Sequence, residues 1–149
     1  MTLKARINED VKAAMRARNA KTLGTLRLLL AAIKQREVDE RVVLDDAAVV
    51  AVIGKMLKQR RDSISQYAAA GRNDLADAEQ FESELLSAYL PAALPTEALV
   101  AAICEAIAST GAGSPADMGK VMAELRPRLN GRADMGEVSR LVKARLAGT

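Results

Sequence analysis

Histidine is missing altogether from these 149 residues. That removes the commonest general base and the commonest metal ligand. Cysteine occurs once, at Cys104, so no intrachain disulfide can form and nothing points to an oxidising compartment. Tryptophan is absent, and the other aromatics are Tyr67, Phe81 and Tyr89 alone. With so few aromatic residues and little alternation of β-branched side chains, strands are hard to place. No apolar run approaches the roughly eighteen residues of a membrane span. The opening MTLKARINEDVKAAM lacks the apolar stretch of a secretory signal. These absences lead to the expectation of a soluble, cytoplasmic, all-α protein without a membrane partner.

Half the residues are hydrophobic and 28% are charged, a globular composition dominated by helix formers. The net charge of +3 is unevenly spread. Residues 1–36 carry nine Lys/Arg against Glu9 and Asp10, and residues 126–145 carry six against Asp134 and Glu137. Between them, residues 62–89 hold six acids and only Arg72. Such segregation fits an anionic partner or internal pairing.

Helical spacing of apolar residues predicts a first helix through Leu3, Ile7, Val11 and Met15, capped by Thr2, and a second through Leu23, Leu26, Leu30 and Ile33. A long third helix starts at Asp45–Asp46 and stops at Gly71. A fourth takes Asn73 or Asp74 as its cap and turns Leu75, Ala78, Phe81, Leu85 and Tyr89 inward. Pro91 and Pro95 cannot share one helix, so they mark a boundary. This divides the chain into a four-helix domain over 1–90, a proline linker over 91–95 and a small three-helix domain over 96–149. In the last of these, Thr96–Ser109 forms a helix. Ser114-Pro115-Ala116-Asp117 opens another that ends at Pro127, and Asn130-Gly131 turns into a final helix reaching Leu146.

The segment ADMGKVMAELRPRL at Ala116 returns as ADMGEVSRLVKARL at Ala133, with seven identities in fourteen. Each copy places a glycine, Gly119 or Gly136, near a helix start, at a cost of up to about 1 kcal/mol relative to alanine. Close helix–helix approach is the favoured reason. The alternative is that the open first-turn amides receive an anion such as phosphate.

Catalytic constellations are scarce. Cys104, in AAICEAIA, is read as core beside Val100 and Ile107, because no base stands near it. Lys58 and Ser63 are five apart and do not share a helical face. No glycine-rich phosphate loop and no metal-ligand spacing occurs, so neither cofactor nor metal is expected. The basic residues around the second repeat suit RNA phosphates better than bases, since no aromatic follows Tyr89 to stack on them. DNA is not expected as a partner.

LRLLLAAIKQREVDE (Leu26–Glu40), KQRRDSISQYAAAGRNDLADAE (Lys58–Glu79), ELLSAYLPAAL (Glu84–Leu94), DMGKVM (Asp117–Met122) and GRADMGEV (Gly131–Val138) together resemble the YqeY family of GatB/YqeY-domain proteins. That family is similar to the C-terminal helical and tail region of GatB, the tRNA-binding subunit of the tRNA-dependent amidotransferase. The resemblance implies two helical domains. It also implies a tail motif that contacts tRNA, with Gly119-Lys120-Val121-Met122 and Gly131-Arg132-Ala133 in the motif positions. The family label further implies a carbon–nitrogen ligase with glutamine as amide donor, but the catalytic cradle and metal site of the larger enzyme have no counterpart here. Gly136 does not belong to that motif. The expectation is therefore a non-catalytic module binding tRNA or another structured RNA through Lys120, Arg128, Arg132, Arg140 and Lys143. The alternatives are an accessory acting in trans on an amidotransferase or related ligase, and a protein-interaction adaptor using the basic N-terminal helices.

Overall fold

A computed structural model describes residues 1–148. Among them are seven α-helices, one 3-10 turn and no strand, so the protein is all-α. The chain forms two compact units that meet between Leu90 and Pro91.

The first unit contains α1 (Leu3–Arg16), α2 (Ala20–Glu40), α3 (Asp46–Ala69) and α4 (Asn73–Ser87). Its helix starts are written in side-chain oxygens. Thr2 accepts the Ala5 N–H at 3.1 Å, Asn19 that of Thr22 at 3.2 Å, and Asp45 that of Ala48 at 2.9 Å. Each satisfies an amide that the helix itself leaves unpaired. The neighbouring Asp46 accepts the Leu3 N–H at 2.9 Å, so the two starts hold one another. The α3 helix ends at Ala70–Gly71, where Gly71 takes a φ of +73° that costs glycine little.

The start of α4 differs from the expectation. Arg72 occupies the cap position without a side-chain cap bond, and Asn73 is already helical. The Asp74 carboxylate is held first by the Arg72 guanidinium at 3.2 Å, with the backbone amides of Leu75 and of Asp74 itself adding to the hold. The inward face of α4 also differs. Ala78 is exposed, Ala76 and Leu86 are buried, and Leu75, Phe81 and Leu85 are only half-buried. The seam facing α3 runs Leu75–Glu79–Glu82–Leu86 at helical spacing. Its two acids are held by Arg60 of α3 at 3.9 and 3.0 Å, and reading apolar residues alone passes over it.

The core of this unit is Ile7, Leu26, Leu29, Ile33, Val49, Ile53 and Leu86 with their neighbours. Tyr89 closes it. Its hydroxyl donates to Asp10 at 2.5 Å, and the Arg6 guanidinium lies 4.9 Å from the ring centre.

The second unit contains α5 (Thr96–Thr110), a 3-10 turn at Pro115–Asp117, α6 (Met118–Leu129) and α7 (Met135–Leu146). Gly111 ends α5 with φ +67°. The α6 helix continues to Leu129 with Pro127 inside its last turn, rather than ending at that proline. Leu99, Ile103 and Ala106 of α5 pack with Val121, Leu125 and Leu129 of α6 and Val138 and Val142 of α7. Cys104 is exposed, not core. The buried stripe of α5 is Leu99–Ala102–Ile103–Ala106, and Cys104 falls on the opposite side. In so alanine-rich a helix, several faces look equally apolar from sequence.

Candidate nucleic-acid interface

The two repeat copies start their helices differently. Asp134 is extended and caps α7, accepting the Gly136 N–H at 3.1 Å. Asp117 turns back instead. Its carboxylate accepts the Gly113 N–H at 3.0 Å and the Ser114 hydroxyl at 3.5 Å, closing the 3-10 turn ahead of α6. The Gly113 N–H is the chief reason its carboxyl sits below the usual range, with Lys120 adding to the effect.

The glycines correct the packing expectation. A Cβ on Gly119 would meet nothing within 4 Å, and one on Gly136 would meet only the Asp134 carboxylate at 3.5 Å. Both are exposed, so neither repeat glycine is required by helix–helix contact. Gly131 is different. It turns the chain between α6 and α7 with φ +75°, a conformation that disfavours side chains.

The five basic residues divide into two sets. Lys120 lies 3.9 Å from Asp117, Arg128 pairs with Glu105 of α5 at 2.9 Å, and Arg132 donates through Nε to the Ala92 carbonyl at 3.3 Å. These three are tied to their own unit. Arg140 and Lys143 are exposed on α7 and form no ion pair among the described residues. The helix buries Val138, Val142 and Leu146, so Gly136, Arg140, Lys143 and Ala147 line its opposite side. Arg126, outside the five residues expected to bind RNA, is exposed in the last turn of α6 and likewise without an ion pair among the described residues.

No group of three or more Cys, Asp or Glu residues is arranged to hold a metal among the described residues. Among the described residues no single helix is long and apolar enough to cross a membrane. The bent pair α5–α6 has the combined composition, but its apolar residues form the core of the second unit.

A family model described as Yqey-like protein matches residues 4–146. The chain is also similar to fungal proteins named "Altered inheritance of mitochondria protein 41, mitochondrial". The relative from Eremothecium gossypii is 42% identical over 92 residues, covering 61% of this chain and 50% of its own. The relative from Vanderwaltozyma polyspora is 36% identical over 95 residues, covering 61% and 51%. The relative from Pyrenophora tritici-repentis is 29% identical over 129 residues, covering 83% and 71%. The match thus spans about half the length of the first two relatives.

These names overturn the cytoplasmic expectation, since the relatives are named as mitochondrial proteins. The criterion behind that expectation tests for an apolar secretory signal and is silent on basic, amphipathic organelle leaders. With the family model matching residues 4–146 of 149, this protein belongs to the YqeY family.

Proposed function

We propose that the protein is a non-catalytic module whose C-terminal unit binds the backbone of tRNA or another structured RNA. The observation that carries this reading is the pair Arg140 and Lys143, one turn apart on the solvent side of α7 and unneutralised by any ion pair among the described residues. Lys120 and Arg128 add to it. Their ion pairs lie at the surface, with both lysine and arginine side chains well exposed. Such pairs hold weakly and exchange readily for a phosphate. The second unit has no aromatic side chain, so the reading is of backbone and shape rather than of stacked bases. An accessory role beside an amidotransferase rests on the resemblance to the GatB tail.

Binding of total tRNA by the wild type and an Arg140→Glu/Lys143→Glu variant, at about 50 and 200 mM salt, tests the proposal. The expected result is wild-type affinity that falls steeply with salt, and a folded variant with weaker binding and a shallower slope. Equal, weak binding by both proteins overturns it.

A further inference from the structure

The α2 helix has two apolar faces and one set of neighbours. One face, through Leu26, Leu29 and Ile33, is buried in the core of the first unit. The other runs Gly24, Arg27, Leu28, Ala31, Lys34 and Val38 at helical spacing, all exposed. Leu28 is 52% exposed and Val38 60%, and the chain continues past the helix into Val42 and Val43, at 50% and 82%. These are four of the six large hydrophobic residues most exposed in the protein. Arg41 takes a left-handed φ of +57° and bends the chain so that Val42 and Val43 come beside Val38. Together with Lys34, Glu37 and Arg41, these valines line a groove of about 280 Å³.

The exposed charges on this face, Arg27 and Lys34 with Arg41 just beyond them, are positive, and the acids Glu37 and Asp39 flank it. No acid lies among residues 24–36. Arg27, Lys34 and Arg41 form no ion pair among the described residues. Glu37, the one acid lining the groove, is bound to the Lys4 ammonium at 2.6 Å and the Leu44 N–H at 2.8 Å, and Lys34 acts on it only from beyond ion-pair distance. Asp39 is held by Gln35 and Glu40 by Arg36.

We propose that this face docks an acidic segment of a protein partner, with an apolar side chain seated among Val38, Val42 and Val43 and carboxylates over Lys34, Arg41 and Arg27. Charge decides against a second copy placed symmetrically, which would set three cations against three cations. The groove decides against a flat lipid surface, because it offers a recess for one anchoring side chain rather than a row of residues to insert. The inference concerns the first unit alone and is independent of RNA binding by the second.

The test uses the full chain and two labelled designed helices. Each carries leucines at i, i+3 and i+7, flanked by glutamates in one and by lysines in the other. Wild type, Lys34→Glu/Arg41→Glu, Val38→Ser/Val43→Ser and Arg140→Glu/Lys143→Glu are titrated by fluorescence anisotropy. All substituted residues are exposed, and circular dichroism verifies folding. The acidic helix is expected to bind wild type and the α7 variant alike, to bind each groove variant at least about tenfold more weakly, and to outcompete the lysine helix. Undiminished binding by both groove variants, or no binding at all, overturns the proposal. Vesicles of anionic lipid binding in place of the peptide overturn it in favour of a membrane surface. Self-association of wild type that is abolished by Val38→Ser/Val43→Ser overturns it in favour of a second copy.

Discussion

Arg132 holds the segment before α5 from both ends of its own residue. Its side-chain Nε donates to the Ala92 carbonyl at 3.3 Å, and its backbone carbonyl accepts the Leu94 N–H at 2.9 Å. A residue chosen from sequence for its charge is therefore also a clasp between the proline segment and the turn before α7.

Replacing it tests that clasp. Arg132→Ala is expected to cost about 0.5–1.5 kcal/mol locally. Hydrogen exchange at Leu94 should quicken several-fold, while the core amides of α6 stay protected. Unchanged exchange at Leu94 would show that the backbone bond holds the segment alone.

The repeat predicts a contrast between its aspartates and its glycines. Asp134→Ala removes the cap of α7 and is expected to cost about 1 kcal/mol. Gly119→Ala meets open space, so it is expected to stabilise α6 by up to about 1 kcal/mol. Exchange of the Val138 and Val142 amides in α7 reads the first change, and that of the Val121 and Leu125 amides in α6 reads the second. Destabilisation by Gly119→Ala would restore the packing explanation of that glycine.

Acid should loosen the first unit through Glu37. The Lys4 ammonium, and after it the Leu44 N–H, hold its carboxyl below the ordinary value of 4.5. A carboxylate depressed in the folded state contributes stability above its unfolded pKa, and that contribution is lost as pH falls through the folded one. Thermal melts from pH 6 downward should therefore fall less steeply for Glu37→Gln than for wild type. Parallel slopes would remove Glu37 from the acid response.

Arg60 is the counter-charge of the α3–α4 seam, its side chain 12% exposed between Glu79 and Glu82. Arg60→Ala leaves two acids one turn apart on α4 without a counter-charge and is expected to destabilise by about 2–4 kcal/mol. Glu79→Gln/Glu82→Gln in the same background should recover part of the loss. Urea unfolding of the single and combined variants measures both.

The helices and most of their starts were legible in the sequence because they rest on local chemistry. A threonine, asparagine or aspartate caps the amides two or three residues ahead, and a glycine ends a helix by adopting positive φ. Faces were less legible. Leu75–Glu79–Glu82–Leu86 reads as half polar until Arg60 is brought across from α3, and Cys104 reads as core until Leu99 and Ile103 choose the other side of α5. The candidate interface shows the same division. All five basic residues stood in the sequence, and Lys120 meets Asp117 within one turn, but the engagement of Arg128 and Arg132 depended on Glu105 and Ala92, which lie 23 and 40 residues from them.

By itself the sequence determined that this protein is helical, that its prolines at 91 and 95 interrupt those helices, and that it carries YqeY motifs. Each follows from neighbours along the chain: backbone propensity, capping and the loss of an N–H at proline. Tertiary structure alone decided which face of each helix meets the core, which charges are neutralised, and that α2 keeps a second apolar face uncovered beside Lys34 and Arg41. Burial and ion pairing depend on residues far apart in sequence, so only the folded chain can assign them.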